Sequence, residues 1–97
     1  MIALEGTLSY IESMNSRHRK TLQRVFVEPV SGTIEWVAIE RLLIAAGCKV
    51  VEGDGSRVRF VFNGEVASFH RPHPAREAKR YQVREAREFL VRIGVRP

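Results

Sequence analysis

The chemistry this chain can do at neutral pH is concentrated in three histidines, His18, His70 and His73. An imidazole with an ordinary pKa of about 6.5 can take up and release a proton there. His70 and His73 stand in the run Phe69-His70-Arg71-Pro72-His73-Pro74, and His18 stands in Arg17-His18-Arg19-Lys20. Cations surround the first run: Arg57 and Arg59 before it, Arg76, Lys79 and Arg80 after it. Arginine is no base, because its pKa lies above about 12, but its planar fork matches a phosphate. A proton-accepting histidine beside guanidinium groups is the minimum equipment for cutting a phosphodiester next to a 2′-hydroxyl without a metal. Two histidines three residues apart with no third ligand cluster do not make a metal site. Gly53-Asp54-Gly55-Ser56 lacks the lysine and the following helix of a P-loop and reads as a tight turn. No cofactor and no metal are expected. The single cysteine, Cys48, can form neither an intrachain disulfide nor a cysteine zinc site, and reads as a small hydrophobe at the start of a strand.

What brings these groups together is a hairpin. Arg57–Phe62 and Glu65–His70 alternate with period two, and Asn63-Gly64 between them is the strongest short hairpin signal. A two-residue loop sets Phe62 opposite Glu65, so that Phe60 meets Ala67 and Val58 meets Phe69 on an apolar face. The other face then carries Arg57 opposite His70, Arg59 opposite Ser68 and Val61 opposite Val66. A one-residue slip would exchange the faces. Directly opposed residues lie about 4.5–5.5 Å apart at Cβ, close enough for a guanidinium to favour the neutral, proton-accepting form of an imidazole.

The remaining elements are helical, apart from a first strand over Cys48–Glu52. Leu22, Val25 and Phe26 give a helix over Arg17–Glu28, stopped by Pro29. Trp36, Ile39, Leu43 and Ala46 give a second over Ile34–Ala46, with Thr33 as N-cap, Gly47 just past its end and Glu35, Glu40 and Arg41 on its exposed side. Trp36 is expected to anchor the core. Val83, Ala86, Leu90 and Ile93 give a last helix over Gln82–Ile93, closed by Gly94, with Arg84–Glu88 and Glu88–Arg92 as solvent-side pairs. The order predicts an α+β fold, α-α-β-β-β-α, with the helices on one face of a three-stranded antiparallel sheet.

The net charge is +5, unevenly spread: six Lys/Arg against five Glu in residues 1–50, ten against six acidic residues in 51–97. Nine of those ten are arginine, which favours a polyanionic partner. No apolar run nears the roughly 18 residues of a membrane helix, so no membrane association is expected. Residues 1–13 lack the basic and long apolar regions of a secretory signal. They read as an extension, flexible or loosely helical, ahead of one domain over 14–97, with Met14 a second possible start. The lone cysteine suits a cytoplasmic location.

The run Gly55-Ser56-Arg57-Val58-Arg59-Phe60, followed by Phe69-His70-Arg71-Pro72-His73-Pro74, resembles the HicA family, small toxins of bacterial toxin–antitoxin pairs. The resemblance spans about Met14 to Val95. It includes Trp36 in a helix ending at Gly47 and a final helix ending in Gly94-Val95. It implies a double-stranded-RNA-binding-domain-like fold, mRNA cleavage, and a HicB antitoxin that holds the toxin inactive. The family places its catalytic histidine directly after Gly-Ser at the start of the second strand, where this chain has Arg57.

Two functions follow as expectations. In the first, the chain is an mRNA-cleaving toxin of a type II toxin–antitoxin system in which His70 and Arg57 form a relocated catalytic pair. Ser56, Arg57, Arg59, Ser68, Arg71, His73, Arg76, Lys79 and Arg80 would then contact RNA. In the second, the same fold binds RNA or an antitoxin without catalysis, since shape and backbone recognition of RNA needs no histidine. No helix-turn-helix spacing supports DNA binding.

Overall fold

The computed structural model describes residues 14–97. The expected extension over 1–13 lies outside the described residues. Three helices, α1 (Ser16–Val25), α2 (Trp36–Ala45) and α3 (Arg80–Arg92), and three strands, β1 (Lys49–Glu52), β2 (Arg57–Phe62) and β3 (Glu65–His70), follow one another as α1-α2-β1-β2-β3-α3. The sheet is antiparallel in the order β1-β2-β3. This is the small α+β fold that the periodicity predicts.

The hairpin register is the one read from the turn. Arg57 pairs with His70, Arg59 with Ser68, Val61 with Val66 and Phe62 with Glu65. Asn63 and Gly64 both take positive φ, 50° and 81°, which a two-residue turn of matching twist requires and which Asn and Gly adopt at least cost. Val58, Phe60 and Phe69 are buried on the inner face, while Arg57, Arg59, Ser68 and His70 are exposed on the outer one. The helices cover only the inner face. α3 packs on β3, and α1 lies on α2 and α3. Trp36, at the start of α2, sets its ring 5.0 Å from Phe69 and 6.3 Å from Phe60. As expected, it anchors the core.

Helix boundaries differ from the periodic reading, some for local reasons and some for long-range ones. α1 starts one residue earlier, because the Asn15 side chain accepts the His18 N–H at 2.9 Å. It ends at Val25, not Glu28, since the residue before Pro29 is disfavoured in helical geometry. Arg87 of α3 takes over the freed carbonyls, donating to Val25 O and Val27 O at 3.0 Å each and pairing with Glu28. α2 starts at Trp36, not Ile34, and Thr33 does not cap it. Ile34 O accepts the Ala78 N–H and the Trp36 N–H donates to Arg76 O, an isolated antiparallel bridge of Glu35 with Glu77. Thr33 instead accepts from Arg24. Gly47, at φ 100°, ends α2 in the left-handed turn expected of it.

α3 starts at Arg80, two residues before the expected Gln82. The Gln82 side chain is 2% exposed and fully used: Oε1 accepts the Lys79 N–H and Nε2 donates to His70 O at 2.8 Å. The expected Arg84–Glu88 and Glu88–Arg92 pairs are not formed. Arg92 reaches across to Glu65 of β3 at 3.0 Å, a partner the helix's own spacing does not reveal.

Candidate functional site

Sheet pairing arranges the outer face as three rows. Gly53, Arg57 and His70 form the first, Val51, Arg59 and Ser68 the second, and Lys49, Val61 and Val66 the third. The first two rows border a groove of about 490 Å³ lined by Gly53, Asp54, Arg57, Arg59, Ser68 and His70. Its floor depends on a glycine. A Cβ on Gly53 would lie 3.0 Å from Arg57 Cβ, so the tight Gly53–Ser56 reversal leaves room for Arg57 to stand over it. Ser56, just before β2, comes within 3.3 Å of His70 Nδ1 through its hydroxyl. Backbone bonding fixes the two ends to each other, because the Arg71 N–H donates to Ser56 O at 2.8 Å. Gln82 holds the His70 carbonyl from the other side. The imidazole is therefore carried on an anchored backbone with its ring in solvent.

Of the residues singled out in the sequence, Ser56, Arg57, Arg59, Ser68 and His70 are brought together in this way. His73, Arg76, Lys79 and Arg80 are exposed along the segment leading to α3 and do not line the groove. Arg76 instead borders a second groove of about 550 Å³ with Trp36, Glu40 and Arg71. The Arg80 guanidinium lies against Gly32.

Arg71 occupies a different position from the one its charge suggests. Its guanidinium is held by two carboxylates at once: Nε and Nη2 donate to Glu40 at 3.0 and 2.9 Å, and Nη1 and Nη2 donate to Glu52 at 2.7 and 2.9 Å. Glu40 also accepts the Trp36 indole N–H at 2.8 Å. Glu40, expected on the exposed side of its helix, is thus turned inward. A fork already filled by two carboxylates is not available to phosphate. Arg71 instead ties the His-Pro segment to α2 and β1, and no local pattern could have revealed partners 31 and 19 residues away.

Hydrogen bonding from Arg71 holds the Glu40 carboxyl below its ordinary range against the opposing effect of burial, and holds Glu52 below its range too. The same pairs push the Arg71 pKa further up. Both carboxyl values are depressed on folding. The stabilisation is therefore complete above the unfolded-chain value of about 4.3 and is lost as pH falls through the lower folded values. Arg71→Gln is expected to cost about 1–2 kcal/mol at pH 7, discounted for the solvent that reaches the cluster. Urea denaturation at pH 7 and pH 3 checks this: the gap between wild type and variant should narrow at the lower pH, and a constant gap would contradict it.

Burial pushes the Cys48 thiol up to about 11, which keeps it protonated and inert at neutral pH, as a core hydrophobe should be. Among the described residues no helix is long and apolar enough to cross a membrane.

Comparison with curated proteins and with solved structures finds no significant match. Comparison with protein families finds one over residues 36–94, from Trp36 at the head of α2 through the hairpin and the Arg71 clamp to the glycine that ends α3. That stretch is more than half of the chain and contains the whole outer-face groove, and the family is the HicA toxin of bacterial toxin–antitoxin systems, to which this chain belongs.

Proposed function

We propose that this protein is a type II toxin that acts in the cytoplasm, cleaving mRNA without a metal on the outer face of its sheet, and that a HicB-like antitoxin silences it. The observation that carries this reading is the exposed groove in which His70 stands opposite Arg57 with Arg59 one row away. In the tautomer whose Nδ1–H donates to Ser56 Oγ, Nε2 of His70 carries the lone pair. That nitrogen takes the proton of a ribose 2′-hydroxyl. The resulting oxyanion attacks the adjacent phosphorus, the P–O5′ bond breaks, the leaving 5′-oxygen takes a proton from water, the imidazolium returns its proton to solvent, and a 2′,3′-cyclic phosphate remains. Arg57 and Arg59 stabilise the charge that builds on the phosphate oxygens. Ser68 supplies a hydroxyl to the same groove, while His73, Arg76, Lys79 and Arg80 extend the cationic track beyond it.

Arg57 supports a second reading. It stands where the resemblance places the family's catalytic histidine, and a guanidinium cannot replace a base. A chain that had lost that base would bind RNA or antitoxin without cutting.

One assay separates the two. Wild-type protein is incubated with single-stranded RNA in excess chelator, and the fragment ends are analysed. Fragments ending in 2′,3′-cyclic phosphate are expected. Intact RNA, together with cleavage by Arg57→His, would replace the first reading with the second.

A further inference from the structure

The three rows of the outer face differ in chemistry. Arg57 and His70 fill the first row and Arg59 and Ser68 dominate the second, whereas Val51, Val61 and Val66 form an aliphatic corner over the second and third. No helix covers this face. Val66 is 46% exposed and directly opposite Val61. An open antiparallel face ordinarily alternates apolar-in and polar-out, so three neighbouring valines on the solvent side, bordered by Arg57, Arg59 and His70 and by Lys49 opposite Val61, call for a partner. A ribose-phosphate strand gains little from aliphatic side chains, which offer neither charge nor an aromatic surface for a base to stack on. A polypeptide gains from both halves.

We propose that the outer face is divided between two ligands, with Val51, Val61 and Val66 anchoring the antitoxin polypeptide and the Arg57–His70 end receiving RNA. Overlap occurs at Arg59, where the two halves meet. The occupant of the valines is a segment carrying an apolar side chain and, about 7–13 Å further along, one or more carboxylates that reach Arg59 and Arg57; that span is two to four residues of strand. Charge argues for such a partner over a second copy of this chain, because two faces of a molecule with net charge +5 repel. The division rests on the reading of this protein as an RNA-cleaving toxin with an antitoxin. It adds that inhibition and RNA binding can be separated by substitution.

The test uses the double variant Val61→Thr/Val66→Thr. Threonine keeps the β-branched shape that suits a strand and removes the apolar surface, and Val66→Thr alone serves if the double variant does not fold. The probes are the purified product of the adjacent gene and a single-stranded RNA oligonucleotide. The expected result is affinity for the adjacent-gene product about tenfold or more weaker, with RNA affinity within about twofold of wild type. Unchanged affinity for the protein probe would overturn the division, as would equal losses for both probes. If wild type binds the protein probe but not RNA, the RNA reading fails and the valine anchor is judged on the protein probe alone. If wild type does not bind the adjacent-gene product, or self-associates through the valines instead, the anchor itself is overturned.

Discussion

Replacing His70 by alanine is expected to slow RNA cleavage by about a hundredfold to ten-thousandfold, the usual worth of a positioned general base. The loss should fall on the rate of the chemical step and leave RNA affinity nearly unchanged, because a general base acts in the transition state and not in holding the bound strand. The geometry makes this a clean experiment. The ring is exposed, and among the described residues its side-chain hydrogen bond is to the Ser56 hydroxyl at 3.3 Å. Gln82 binds the carbonyl of residue 70, which alanine retains. Stability should therefore change by no more than about 0.5 kcal/mol, which thermal denaturation can check. Unchanged cleavage would show that His70 is a polar residue on a solvated face and would shift the search for a base to His73.

The largest effect on stability is expected from Trp36→Ala. The indole lies against Phe69 and Phe60, which also meet each other at 5.9 Å, and its N–H is bonded to Glu40. Emptying such a site costs about 3–5 kcal/mol. In a domain of this size that lowers the melting temperature by about 15–30 °C. Trp36→Phe keeps an aromatic ring and removes the N–H, so its cost should be smaller, about 1–2 kcal/mol. A loss under about 1 kcal/mol for the alanine variant would mean that the ring cluster is not the centre of the core. The consequence reaches the groove, because Phe69 lies between Ser68 and His70 in β3 and faces the opposite side of the sheet.

Local signals explain what could be read in advance. Asn63-Gly64 and the period-two pattern of Arg57–Phe60 and Ala67–His70 leave only one register that buries Val58, Phe60 and Phe69, so the grouping of Arg57, Arg59, Ser68 and His70 follows from the chain itself. Gly47 and Gly94, with φ of 100° and 86°, end their helices where the apolar stripes stop. Long-range pairing is what the sequence conceals. The Glu35–Glu77 bridge shortens α2, Arg87 closes α1 from α3, and Arg71 is held by Glu40 and Glu52. Each joins residues whose proximity is a product of the fold. Among candidate phosphate ligands, charge alone could not distinguish the neutralised Arg71 from the free-standing Arg57 and Arg59.

The claim on which everything else depends is that RNA phosphates meet the arginines of the outer sheet face. Its most direct test is the affinity for single-stranded RNA as a function of salt, measured for wild type and for Arg57→Gln/Arg59→Gln. Displaced counterions contribute about 0.7 to the log–log slope per phosphate contacted, so contact with about four phosphates weakens binding about 50-fold between 50 and 200 mM salt. The expected result is that steep decline in wild type and a slope shallower by about 1.4 in the double variant. Affinity indifferent to salt, or a slope that the two substitutions leave unchanged, would contradict it.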